Sequence, residues 1–332
     1  MRNVTKYSPI VRSHWRLAIL VSICAIACTT IAAAAGPIDV EKAGATKFTL
    51  SGDWLSSGSG SIWLSDPPAN VIRRIDPSTG EAIAIAVRQA PCESPDVAYG
   101  ALWTATCNPT GLARVDAASH KQTGFVPLPI WSNLGGEGAI GAGSGGVWVV
   151  INGTSCKSCV LARVDPKTMT VIAKIPVSEH SSSVRVGYGA VWVVSPGQGT
   201  VQKVSPSSNK VVATVKVGHH PRFFDVGEGG VWTLNQETGS VSHVNPRTAK
   251  VQATIQTQTP GWARGGDMAV GGGWVWVRRS DTLLTRIDPR SNKVVQTYGP
   301  SSGSGSVVVG PGGVWISAHD VTTVWRLPLP KR

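Results

Sequence analysis

A tryptophan returns seven times along this 332-residue chain, each time behind a glycine pair or near-pair and an apolar residue: GSIW (Trp63), GALW (Trp103), GGVW (Trp148), GAVW (Trp192), GGVW (Trp232), GGGWVW (Trp276) and GGVW (Trp315). The intervals are 40, 45, 44, 40, 44 and 39 residues. A self-similar period of that length marks equal supersecondary units that bury their faces only by stacking on one another. A second signal follows each of the first six tryptophans: RRIDPSTG, ARVDAASH, ARVDPKTM, QKVSPSSN, SHVNPRTA and TRIDPRSN. Asp, Ser or Asn followed in most copies by Pro is turn chemistry, because the short side chain bonds the backbone ahead of it and proline presets φ. Each of these turns lies between runs of strand formers such as KVVATVKV, so each reads as a hairpin.

Every period therefore holds four short strands: an inner one (SVRVGYG, RFFDVGEG), the Trp strand, the strand into the Asp-Pro turn, and an outer strand after it. Trp strands such as VWVV are apolar on both faces, and a continuous apolar run means that both faces are covered. Blades packed around an axis do this, and the reading is an all-β, seven-bladed β-propeller of four-stranded antiparallel blades over residues 36–332. After Trp315 the chain makes one more strand, VTTVWRL, and ends without an outer one, whereas GATKFTLSG precedes the first inner strand. The N-terminal strand is expected to complete the last blade, which would leave that sheet no open edge to mispair.

Residues 1–35 have the order of a secretory signal: basic Arg2, Lys6, Arg12 and Arg16, an apolar run from Leu17, and Ala33-Ala34-Ala35 before the cleavage point. A retained anchor and a lipidated Cys28 are the alternatives. The expected location is periplasmic or secreted, with no stable membrane span after cleavage. The whole chain carries +12, and removing four basic and no acidic residues leaves +8. The basic residues are scattered, no Lys/Arg-rich run points to nucleic acid, and export argues against it. A propeller made of one chain needs no oligomer, so a monomer is expected.

The GGVWVV, ARVDPKTM and KVVATVKVG grammar extends over essentially all of residues 36–332 and resembles the YVTN-type propellers and the wider streptogramin lyase-like (virginiamycin B lyase-like) superfamily. The resemblance is specific for fold and poor for function, since most of the motif is turn and packing chemistry. It implies one possible activity, opening of a cyclic depsipeptide ester by elimination, with a histidine base and Mg²⁺ held by glutamates. His180 and His220, one repeat apart, are similar to that family's paired histidines. At the positions of the glutamates, however, stand Gly218 and Asn235. Glu179 or Glu237 would have to compensate. Three residues after each Trp come Asp66, Thr106, Ile151, Ser195, Asn235, Arg279 and Ala318, and only Asp66 is acidic.

Spacing also locates added material. From Trp to the Asp-Pro position the count is 13, 13, 17, 13, 13 and 12, and from there to the next Trp 27, 32, 27, 27, 31 and 27. The insertions fall in NGTSCKSC and near PLPIWSNLGG and QTPGWARGGD, and antiparallel strand order brings all three to one end of the propeller. Enlarged loops on a rigid scaffold are the usual home of binding. Cys92, Cys107, Cys156 and Cys159 remain after cleavage, and an even count in an oxidising compartment reads as disulfides. The expected pairs are Cys92–Cys107 and Cys156–Cys159; a four-thiolate zinc site and a redox-active Cys-x-x-Cys are the alternatives.

Twelve residues before Trp192, Trp232 and Trp276 stand His180, His220 and Arg264, where the other blades have Ser51, Pro91, Gly136 and Gly303. Imidazole and guanidinium groups suit an anionic or carbonyl-rich ligand. Trp131 and Trp262, inside the enlarged loops, are aromatic contact candidates. The leading expectation is an exported propeller with no cofactor, binding a small molecule, an envelope polymer or a protein. A Mg²⁺-assisted lyase is the second reading, and another hydrolase on this scaffold the third.

Overall fold

The computed structural model describes residues 36–332 apart from 93, 130–139, 152–156, 258–260 and 262–264. Its repeat begins at the hairpin between the inner and Trp strands. Two successive residues there take positive φ: Ser59 and Gly60, Tyr99 and Gly100, Ser144 and Gly145, Tyr188 and Gly189, Glu228 and Gly229, Gly272 and Gly273. Two positive φ values in a row match the twist of a tight hairpin, and the second position is glycine every time. In the last blade Pro311 precedes Gly312 (φ 83°), so the turn there uses proline's fixed negative φ followed by glycine.

The hairpin explains the tryptophan. Each indole Nε1–H donates to the carbonyl at the end of its own inner strand: Trp63 to Gly58, Trp103 to Ala98, Trp148 to Gly143, Trp192 to Gly187, Trp232 to Gly227 and Trp276 to Gly271, at 3.0–3.2 Å. In the last blade the acceptor shifts by one residue, to Pro311 at 2.9 Å. All seven rings are fully buried. Across the sheet each faces a basic residue: Arg74, Arg114, Arg163, Lys203, His243, Arg286 and Arg326 in chain order. Arg114, Arg163, Lys203 and Arg326 lie over their tryptophans at 4.8–5.8 Å, and the His243 ring stacks on Trp232 at 3.7 Å.

Several of these cations also reach the Asp-Pro turn of the following blade. Arg163 donates to Pro206 O and Asn209 Oδ1, Lys203 to Pro246 O, and Arg326 to Pro77 O, while His243 Nδ1 lies 2.8 Å from Asn292 Oδ1. Within the turns, Asp76, Asp165 and Asn245 accept the N–H groups two and three residues ahead. The Ser78 hydroxyl, and then the Ser78 and Thr79 N–H groups, hold the Asp76 carboxyl below its ordinary value, as the Thr168 and Lys167 N–H groups do for Asp165. A good part of the positive charge is thus structural, placed over indole rings and tied to neighbouring turns.

The strands form seven sheets of four or five. Blade 1 contains Leu55–Gly58, Ser61–Asp66, Val71–Ile75 and Ala82–Ala86, and the later blades repeat the order. Consecutive inner strands touch all the way round, including Val307–Gly310 against Leu55–Gly58, so the ring is closed. Seven apolar clusters fill the seven interfaces between blades; Trp148, for example, packs with Val184, Val191 and Val204 of the next blade.

Thr46–Thr49 pairs antiparallel with Thr323–Leu327 and completes the last blade as expected. An unforeseen element precedes it. Ile38–Asp39 pairs parallel with Tyr298–Gly299, adding a fifth strand to blade 6, and Val40 is buried between blades 6 and 7. Blade 2 also departs from the repeat: Ala90–Pro91 and Asp96–Ala98 share the place of one inner strand, beside the Cys92–Cys107 disulfide. Cys159 is disulfide-bonded as well, whereas Cys156 lies outside the described residues.

Candidate functional site

The two ends of the propeller differ. At the turn end, the seven motif indole N–H groups and several of the carboxylates and cations are occupied by the bonds just described. The opposite end carries the links from outer to next inner strand and from Trp strand to third strand, the connections that the sequence lengthens in three places. Trp131, Trp262 and Arg264 lie outside the described residues.

His180 and His220 hold equivalent positions in blades 4 and 5, both in the left-handed region (φ 57° and 54°) and both half-buried. His180 does not line the groove that His220 lines. His220 lines a groove between these blades with His219, Glu237, Lys216 and the loop Pro196–Gly199. The His180 ring lies against Gly197 of that loop, where a Cβ would come within 2.8 Å of Cδ2. His219 Nδ1 stands 3.7 Å from Glu237 Oε2, both side chains being largely exposed. Burial, and then the Arg222 cation, push the His220 imidazole below its ordinary 6.5, with Glu237 opposing. The groove thus offers imidazoles and an ammonium beside one carboxylate.

The third residue after each Trp is largely committed to structure. Asp66 is bound by Arg73 and Ser51, Ser195 Oγ donates to Glu179 O, and Arg279 pairs with Asp281. Asn235 is buried, its Nδ2 donating to Ser240 and Ser242 while its Oδ1 accepts Thr233 Oγ1–H; Gly218 backs onto it. An oxygen-rich Mg²⁺ site needs carboxylates at these positions. A glycine and an amide already bonded within the fold do not fit the ion.

Charge on the axis comes from other residues. Asp96, Arg185 and Asp225 stand seven residues before their tryptophans and, with Asp267, line the axial channel, whereas His220 does not. Asp96 accepts the Ala142 N–H (2.7 Å), Asp225 that of Val270 (2.7 Å) and Asp267 that of Val307 (2.9 Å). Inner strands are sheet edges, so each carboxylate pairs an N–H of the next blade that its own sheet leaves open.

Surrounding protein raises all three carboxyls, Asp225 to about 6, although a quarter of its side chain opens to the channel. Its folded value lies above the ordinary 3.8. The associated stability is therefore present in full below that value and lost as pH rises through about 6, by at most ~3 kcal/mol before screening by channel water. His220 and His243, both lowered, act oppositely as pH falls below 6.5. Comparison with Asp225→Asn removes that background: relative to wild type the variant should be more stable at pH 7.5 than at pH 4.5 in paired urea melts. A pH-independent difference would contradict this.

The positional pattern missed a second group of residues. His319 follows Trp315 by four positions and contacts Asp53 and Asp320 at 3.1 and 3.0 Å. The third position after the Trp of blade 7 is Ala318, and the histidine stands one residue beyond it.

No family model matches the chain, and no curated protein matches it in sequence. Among solved structures, a streptogramin B lyase superposes with a TM-score of 0.67 at 16% identity, covering 85% of this chain and 96% of that one. A hydrazine synthase structure from Kuenenia stuttgartiensis gives 0.66 at 14% identity, covering 84% and 96%. These likenesses establish the propeller fold that the repeat predicts. At such identities, two proteins with unlike names on one fold say nothing further about activity.

Proposed function

We propose that this chain is an exported binding protein that takes a small molecule, an envelope polymer or a protein on its loop-bearing end. His220 is the central contact, His180 and Arg264 act from the equivalent positions of the flanking blades, and Trp131 and Trp262 from the enlarged loops. One observation supports this reading above the others: His219, His220 and Lys216 line a groove on the end whose connections the sequence lengthens in three places. The signal-like segment 1–35 and the Cys92–Cys107 disulfide fit an oxidising compartment.

The groove should favour carboxylate- or carbonyl-rich ligands. Citrate, used as a probe in calorimetry, should bind the 36–332 protein more tightly as pH falls, because the anion favours protonated His220. His220→Ala should weaken it by ~1–2 kcal/mol, about five- to thirtyfold, with stability within ~0.5 kcal/mol. Equal citrate affinity in wild type and variant, or unfolding of the variant, would remove the groove from the account.

The second reading, a lyase opening a cyclic depsipeptide ester, rests on likeness of fold to the streptogramin B lyase structure and on His180 and His220 lying one repeat apart. The poor fit of Gly218 and Asn235 to Mg²⁺ weighs against it. Ring opening of a streptogramin B depsipeptide that disappears both with EDTA and in His220→Ala would put this reading first.

A further inference from the structure

The first and last blades meet at a cavity of about 620 Å³ on the loop-bearing end, separate from the His220 groove. That volume is in the range of small-ligand sites. Two single-turn 3-10 segments contribute to it, Pro67–Ala69 after the Trp strand of blade 1 and His319–Val321 after that of blade 7. Pro67, Pro68 and Ala69 give one side an apolar surface, and its two prolines bring no backbone donor. Ser51, Asp53, Asp66, His319 and Thr322 supply the polar lining.

The two lining carboxylates differ in what they can still do. Asp66 is almost wholly buried, and its Oδ2 accepts from Arg73 Nη2 (2.7 Å), Arg73 Nε (3.2 Å) and Ser51 Oγ (2.7 Å). Asp53 keeps 26% of its side chain open, and one of its oxygens lies 3.1 Å from His319 Nδ1. His319 Nε2 lies 3.0 Å from Asp320 Oδ1, and Asp320 Oδ2 accepts the Ser304 N–H. The imidazole is thus held between two carboxylates. The residues that line the cavity include two carboxylates, Asp53 and Asp66, against one imidazole and no Lys or Arg; Arg73, bound to Asp66, and the buried Arg278, which acts on Asp53 and Asp320, stand behind that lining. The lining is acidic on a chain whose residues 36–332 carry +8.

We propose that this cavity binds a small organic cation, an amine or amidinium on a flat apolar body, with Asp53 taking the positive head and Pro67–Ala69 the apolar part. A hard metal ion is the poorer occupant. It needs six or more oxygen ligands, whereas Asp66 is already bound to Arg73 and both His319 nitrogens have carboxylate partners. An organic cation needs one or two acceptors and a surface to lie on, and the cavity offers both.

Benzamidine is a suitable probe, with benzoate as its isosteric anion. Calorimetry on the 36–332 protein at pH 7.5 and low salt should show saturable benzamidine binding and none for benzoate. Asp53→Asn should weaken benzamidine at least tenfold. Ala69→Phe, at an exposed position, should fill the cavity and abolish binding without lowering the melting temperature. His220→Ala should leave benzamidine binding intact, so failure of this site and failure of the citrate groove are distinguishable. No benzamidine binding to wild type below about 10 mM, equal binding of benzoate, or wild-type affinity in both Asp53→Asn and Ala69→Phe would overturn the proposal.

Discussion

Deleting residues 36–50 should lower the melting temperature of the 36–332 protein by roughly 10 °C or more and turn a monomer into a concentration-dependent oligomer. The segment supplies the outer strand of blade 7, Thr46–Thr49, and the fifth strand of blade 6, Ile38–Asp39. It also buries Val40 and stacks Phe48 on Trp315 at 5.6 Å, with Arg326 over both rings. Burial of two such side chains contributes about 3–5 kcal/mol, before the ladder hydrogen bonds are added. At a few degrees per kcal/mol for a domain of this size, the shift in melting temperature follows. Deletion also bares the backbone of Thr323–Leu327 as a sheet edge, a template for pairing with another copy. Calorimetry and light scattering on the truncated protein check both effects; an unchanged melting temperature in a monomer would show that the ring does not depend on this closure.

Trp232→Ala should cost about 3–5 kcal/mol, the range for truncating a fully buried aromatic side chain. The ring has zero exposure, stacks on His243 and donates to Gly227 O. Alanine leaves a cavity between blades 5 and 6, a carbonyl without its indole donor, and His243 without a platform. Trp232→Phe separates these contributions. It keeps an aromatic ring under His243 and removes the indole N–H, so a smaller loss, of about 1–2 kcal/mol, is expected from the missing hydrogen bond. Urea melts of the two variants measure the difference directly, and a Trp232→Phe loss near zero would mean that packing, rather than the Nε1 bond, fixes tryptophan at this position.

The propeller was legible because its determinants are local and repeated. Gly229, Trp232, His243 and Asn245 each act within their own blade or on the next, and every period repeats their spacing with small variations. Completion of blade 7 by Thr46–Thr49 could be read because the last repeat is visibly one strand short. The parallel Ile38–Asp39 strand could not, since two residues carry no period and their partner lies some 260 positions away. Cys92 and Cys107 pair as expected because Cys107 lies near the end of the Trp strand of blade 2 and Cys92 runs alongside that strand, its N–H donating to Ala105 O.

Sites were harder to read. The position twelve residues before each Trp groups His180 with His220, but where a ring goes depends on the loop beside it: Gly197 accommodates His180, while the space beside Gly199 and Gly218 leaves His220 lining a groove. The cavity between blades 1 and 7 depends on a contact across the closure, Asp53 with His319, at a separation of 266 residues. No alignment of repeats within the sequence places those two together.

The central claim is a division of labour, with the turn end holding the ring and the loop-bearing end binding. It is tested most directly by measuring citrate affinity and melting temperature together in His220→Ala and Trp232→Phe. The account predicts that His220→Ala loses affinity at an unchanged melting temperature, and that Trp232→Phe melts lower with its affinity within about twofold of wild type. The converse pattern, binding lost at the turn end and stability lost at His220, would contradict it.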